Sequence, residues 1–207
     1  MKVYVNAGHH ENDSGAVVCS IAENETTMRI RDELKRLPIE YELIYVPDSL
    51  DLGDSITWIN RQASSTDLAL DIHLNTNKDK TIRGVEAYYS DDPRNAQIFA
   101  RKVAEYLITP NRGAIHDGQS YVKSLGFLRK TVCPAVVLEC GYMTSEHDKK
   151  ALFSQDGLNR VAKGIIEAIK MIGFHAPSAH AELQKQLNLI ARMIETIKRQ
   201  IAKRHGA

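Results

Sequence analysis

The chain has 207 residues, 43% of them hydrophobic, and a net charge of only +1. That is enough for one domain with a sizeable core plus an appendage, and it excludes a disordered chain and two full domains. No apolar run approaches the ~20 residues a bilayer span requires, and neither a membrane nor a nucleic-acid partner is expected. The charge is uneven, because residues 176–207 hold six Lys/Arg against two Asp/Glu and so form a basic tail on a mildly acidic body. Cys19, Cys133 and Cys140 show no CxxC spacing and read as reduced thiols. The opening MKVYVNAGHH lacks the basic start and long apolar centre of a signal peptide, so synthesis in a cytoplasm is expected.

In chain order, KVYVNAG reads as a strand and is followed by a helix that begins at Glu23 and lines up Met28, Ile30, Leu34 and Leu37 on one face. YELIYVP, DLALDIHLN and GVEAYYS are further strands. A helix after Pro93 presents Ile98, Val103, Ala104 and Leu107. Pro110 to Lys130, rich in Gly, Asn, Asp and Ser, shows no period and reads as one long loop. PAVVLECGY is the fifth strand, and Leu158, Val161, Ile165, Ile166 and Ile169 mark another helix. The strands are nearly continuous apolar runs, the pattern of strands covered on both faces. Strands alternating with helices predict an α/β fold: a mostly parallel twisted sheet wrapped by helices. After Phe174, HAPSAHA breaks the helix, and Leu183, Leu187, Ile190, Ile194, Ile197 and Ile201 then recur at spacings of four and three as a heptad seam. The expected division is a body over residues 1–175 and a linker with an amphipathic, coiled-coil helix over 176–207, through which the chain is expected to form a homo-oligomer.

Three strand-end or helix-start residues can converge. His9 follows the first strand, Glu23 opens the first helix, and His73 lies at the end of the third strand, and in a parallel sheet the carboxyl ends of strands share an edge. Two imidazoles and a carboxylate make a common catalytic zinc set, able to lower the pKa of a bound water toward ~7. Glu139, at the end of PAVVLE, is a carboxylate in an apolar strand and needs a cation or an aqueous cleft beside it. Spacing alone leaves other readings open, since each histidine can be an ordinary hydrogen-bonded residue and Glu23 a helix-start charge.

The ordered motifs add more. NAGHHENDSGAV resembles the GHGG-x-D-x-GA opening of the zinc-dependent N-acetylmuramoyl-L-alanine amidases of type 3. ENETTMRIRDELKRL resembles that family's Glu-led first helix, DIHLN its SIHAN strand end, and RGVEAYY and FLRKTVCPAVVLECGYMTSEHD follow in the family's order, over nearly all of residues 1–174. The resemblance implies one Zn2+ per chain held by His9, Glu23 and His73, with Glu139 as catalytic acid/base. It favours Glu23 over Glu25, which puts Met28, Ile30 and Leu34 on the family's apolar positions, and His9 over His10, which replaces a glycine. His10 and Asp71, the latter standing where the family has serine, add two ionisable groups near the metal, and Ser145 falls near an expected asparagine.

The implied reaction is hydrolysis of the amide between N-acetylmuramic acid and L-alanine of the peptidoglycan stem peptide. The enzyme is expected to act on the cell wall as an endolysin or autolysin, after holin-type release or lysis. Two rivals stand beside it: a cysteine hydrolase built on Cys140, which strand alternation turns away from Glu139, and a non-catalytic wall-binding or oligomerisation protein on a degenerate scaffold.

Overall fold

Val3, Tyr4 and Val5 have no exposed surface at all, as a strand covered on both faces requires. The structure is a computed structural model and describes residues 1–175. In chain order its elements are β1 (Lys2–Ala7), β2 (Val17–Val18), β3 (Ile21–Ala22), α1 (Glu23–Arg36), β4 (Glu42–Tyr45), α2 (Leu52–Asn60), β5 (Leu68–Asn75) and β6 (Val85–Tyr89). There follow α3 (Pro93–Leu107), β7 (Asn111–His116), a 3-10 turn (Asp117–Gln119), α4 (Gly126–Lys130), β8 (Ala135–Tyr142), α5 (Glu146–Leu152) and α6 (Gln155–His175). The five strands and three body helices read from the sequence all form.

Six strands make one sheet in the order β4-β1-β5-β8-β6-β7, and β2 with β3 makes a small hairpin. All its ladders are parallel except β6 with β8, so the fold is the expected mostly parallel α/β sheet flanked by helices. Side-chain alternation splits the core in two. Val3, Val5, Leu70 and Ile72 pack with Ile30 and Leu34 of α1, Phe99 and Val103 of α3, and Leu158 and Ile165 of α6. On the other face Tyr4, Ala69 and Val137 meet Ile56 and Ile59 of α2 and Phe127 and Leu128 of α4. Each fully buried large aliphatic side chain stabilises the fold by roughly 1.5–3 kcal/mol.

The segment from Pro110 to Lys130 is not one loop. It holds β7, the 3-10 turn and α4. β7 is an edge strand with two exposed and four half-buried residues, so its backbone pairs with β6 without the apolar run that announces an inner strand. α4 spans five residues, too few to show a helical period. Nor does the sequence reading include α2, whose start is fixed by the Asp51 side chain accepting from the Asp54 amide.

Two polar side chains brace this region. Asp117 has no exposed surface, and its carboxylate accepts from Arg129 Nε and Nη2, both at 2.6 Å, and from the Leu125 amide at 3.1 Å. Asn60, at the end of α2, donates from Nδ2 to the Lys130 carbonyl at 2.7 Å and accepts the Val132 amide at 2.9 Å. It thereby ties α2 to the segment that leads into β8.

Met1–Gly173 forms one compact unit. The linker and the heptad helix expected from Leu183 to Ile201, with any oligomer built on it, lie outside the described residues. Among the described residues no helix is long and apolar enough to cross a membrane.

Candidate active site

β1, β5 and β8 lie side by side and run in one direction, so their carboxyl ends deliver residues to one edge. The chain leaves β1 through Gly8, whose amide donates to the Ile72 carbonyl at 2.7 Å. A Cβ at Gly8 would stand 2.4 Å from that carbonyl and 2.6 Å from the His73 ring, so glycine is what lets the two strand ends close up. His9 follows with φ at +65°, a left-handed conformation that is costly for most side chains and here aims the ring back over the sheet edge. Gly15, at φ +61°, brings the returning loop so near that a Cβ would lie 2.5 Å from the His9 ring and 2.8 Å from Glu23 Oε2.

α1 supplies the third group and anchors the loop. Its first residue, Glu23, is buried, and beside it Asn24 Nδ2 donates to the His10 carbonyl and Thr27 Oγ1 to the Gly8 carbonyl. Two backbone amides hold the Glu23 carboxylate: Leu74 donates to Oε1 at 2.9 Å and Ala16 to Oε2 at 3.1 Å. His73 Nδ1 stands 3.0 Å from Oε1 and His9 Nε2 3.2 Å from Oε2. The donor atoms of His9, Glu23 and His73 all lie within 4.8 Å of one another, a cluster able to hold a metal ion. The far nitrogen of each ring meets another carboxylate: His9 Nδ1 faces Asp13 Oδ2 at 2.8 Å, and His73 Nε2 faces Asp71 Oδ2 at 3.1 Å.

This donor set suits a small N/O-binding cation. Bonds of about 2.0–2.2 Å arranged tetrahedrally set neighbouring donors about 3.3–3.6 Å apart, close to the nitrogen–oxygen distances here. With both outer nitrogens engaged by carboxylates, the inner nitrogens confront Glu23 oxygens and need positive charge between them. The hydrogen bond to Glu23 is the main influence raising His9. Burial depresses His73, but the Asp71 charge and its hydrogen bonds to Asp71 and Glu23 prevail and hold it well above the usual histidine range. Burial likewise pushes the Glu23 carboxyl up, yet the hydrogen bonds from His73 and His9 outweigh it and leave this group far below the usual carboxylate range.

Glu139 is the register partner of His73 across β5 and β8, so both side chains rise from the same face. Its Oε2 is buried and has no hydrogen-bond partner among the described residues. Burial is the main cause of its pKa rising to about 7; Glu23, Glu86 and Asp71 push the same way and His73 opposes them. Glu86, opposite Glu139 on β6, is instead satisfied by Asn75, Tyr88, Tyr142 and Arg112. His9, Asp71, His73 and Glu139 open into a cleft of about 320 Å³ that Leu50, Leu52, Leu125 and Phe127 also line.

The structure therefore brings His9, Glu23, His73 and Glu139 together. Glu25 is exposed, and His10 lines the cleft but stays outside the donor cluster, accepting from the Asn12 amide. Cys140 is fully buried in the core and burial drives its thiol well above the usual range, which removes it as a nucleophile. The sequence reading gave no role to Asp13 behind His9, although the opening motif contains it. It also missed the cleft walls, because α2 and α4 carry no strong periodic signal.

The model of a family described as N-acetylmuramoyl-L-alanine amidase matches residues 3–171. N-acetylmuramoyl-L-alanine amidase LytC of Bacillus subtilis is 26% identical over 179 residues, covering 79% of this chain and 34% of LytC. The endolysin of Bacillus phage SPP1 is 27% identical, covering 82% of this chain and 65% of that protein. The chain thus spans about a third of the length of LytC and just under two thirds of the endolysin. The solved catalytic domain of CwlV, an N-acetylmuramoyl-L-alanine amidase from Bacillus (Paenibacillus) polymyxa var. colistinus, superposes with a TM-score of 0.68 at 28% identity, over 82% of this chain and 96% of that one. With the family model spanning the whole α/β body, the chain belongs to the N-acetylmuramoyl-L-alanine amidase family.

Proposed function

We propose that the chain hydrolyses peptidoglycan at the amide between N-acetylmuramic acid and L-alanine of the stem peptide, with one Zn2+ per chain held by His9, Glu23 and His73 and with Glu139 as acid/base. The observation that carries this reading is the meeting of the three donor groups in an open cleft, beside a buried carboxylate oxygen that nothing else among the described residues satisfies. When bound, the ion supplies Lewis-acid charge for activating water and polarising the scissile carbonyl.

The chain's own residues do the remainder. Asp13 and Asp71 hold the outer nitrogens of the two rings, so the inner nitrogens stay directed at one point. The amides of Ala16 and Leu74 fix Glu23 without neutralising it. Glu139 Oε2 takes a proton from the attacking water and returns it to the departing amine of L-alanine. A pKa of about 7 suits a group that must accept and donate within one cycle.

Residues 1–175 are the catalytic domain in this reading, and 176–207 a linker and a self-associating helix whose positive charges hold the protein on an anionic wall. Synthesis in the cytoplasm and release at lysis or through a holin-type lesion fit the same reading. Purified cell wall treated with the full chain is expected to release L-alanine amino termini. Their absence under zinc-replete conditions would overturn the proposal.

A further inference from the structure

Asp71 stands two residues before His73 on β5, on the same face of the sheet, and it is buried with 3% of its surface exposed. A carboxylate in such a place is costly unless its oxygens are engaged, and each oxygen has one partner. Asn6, its register partner on β1, donates from Nδ2 to Oδ1 at 2.8 Å. Oδ2 meets His73 Nε2 at 3.1 Å. The Asn6 bond fixes the carboxylate, and the carboxylate fixes the ring.

Asp71 lies on the wrong side of the imidazole to be a ligand itself. Its oxygen meets Nε2, whereas Nδ1 is the atom that faces Glu23. The arrangement repeats at His9, where Asp13 meets Nδ1 and Nε2 faces Glu23. Asp13 belongs to the motif shared with the family, but the residue corresponding to Asp71 there is serine. A serine hydroxyl is shorter than a carboxylate and carries no charge to reinforce the ring's basicity.

We propose that Asp71 is a positioning residue for the metal centre: it accepts the Nε2 proton of His73, leaves Nδ1 bare toward Glu23, and makes this centre hold zinc more tightly than serine would. The inference rests on the zinc reading above. A carboxylate behind a ligating histidine raises ligand basicity and locks ring orientation, and its loss typically weakens metal binding about 10–100-fold.

The test is the zinc dissociation constant of the full chain, measured by competition with a chromogenic chelator at one pH, for the parent, Asp71→Ser and Asp71→Asn. Asp71→Ser is expected to bind about 10–100-fold more weakly, with Asp71→Asn between it and the parent. In histidine 15N spectra of the zinc-loaded parent, His73 is expected as the Nε2–H tautomer with a proton protected from exchange, and that protection disappears in Asp71→Ser. Zinc binding by both variants within about threefold of a tightly binding parent would overturn the role of Asp71 alone, whereas a parent that binds no zinc would overturn the underlying reading as well. If zinc-free Asp71→Ser does not melt cooperatively, the isosteric Asp71→Asn decides; loss of cooperative melting in both makes Asp71 a fold residue and also overturns the proposal.

Discussion

Glu139 and His73 are Cα partners on adjacent parallel strands, which sets the Glu139 carboxylate beside an imidazole of the donor cluster with no loop between them. Rigid strands fix this pairing more closely than a loop can. Glu139→Gln is expected to lower release of L-alanine amino termini by about 10²–10⁴-fold, because an amide accepts no proton at neutral pH. Zinc content and melting temperature should stay near the parent's. Near-normal turnover by this variant would move the role to another group.

His9→Ala and His73→Ala each remove one of three donors and leave Glu23 facing a single imidazole. Elemental analysis of the purified proteins should show about one zinc per parent chain and much less in each variant, as expected for a tetrahedral site that loses one of its protein ligands. Unchanged metal in both would rule out this site.

Gly15 and Gly113 both have positive φ, but only Gly15 is crowded: nothing lies within 4 Å of a Cβ at Gly113. Gly113→Ala therefore incurs only the left-handed backbone cost, roughly 1–2 kcal/mol. Gly15→Ala adds a clash with His9 and Glu23, so it should lose more stability in denaturant melts and bind zinc more weakly. Equal effects of the two substitutions on both measurements would show that the loop yields without disturbing the donors.

The Asp117–Arg129 pair predicts an acid limb in the stability curve. The Arg129 hydrogen bond holds the Asp117 carboxyl below its ordinary value of 3.8 in the folded chain. The unfolded chain thus binds the proton more readily, so this stabilisation is in full force above the unfolded value and fades as pH falls through the folded one. Arg129→Ala is expected to lower stability at neutral pH, because it takes the charged donor away from a carboxylate that has no exposed surface. Denaturant melts from pH 7 to pH 2 should also find Asp117→Asn with a flatter acid dependence than the parent; parallel curves would show that the pair does not set the acid limb.

For the tail, light scattering of the full chain is compared with a version ending at Phe174. The heptad reading expects an oligomer that becomes a monomer on truncation. A full-length monomer contradicts it, and an oligomer that survives truncation moves the interface to the body.

The inner strands were legible because burial on both faces leaves continuous apolar runs such as VYV and LAL. The donor cluster was legible for another reason: strand ends and a helix start mark where polar groups can gather, and the ordered motifs then selected His9, Glu23, His73 and Glu139 from many histidines and acids. What stayed hidden was held by backbone and by single polar side chains. β7 pairs through its amides and carbonyls, which any sequence provides, and α4 is shorter than two helical turns. The pairing of the buried Asp117 with Arg129 spans 12 residues and has no periodic trace. Asp71 stood out as a departure from a motif, but its contact with His73 Nε2 depends on ring orientation, which spacing does not encode.

Asn60 carries a last consequence. By bonding Lys130 and Val132 through one amide, it couples α2, which begins at Leu52, to the segment that follows α4, so these parts of the cleft lining are expected to move together. A cleft lining tied together in this way is expected to need less ordering when substrate arrives. On the proposed reading, such a site is suited to a polymer too large to be enclosed.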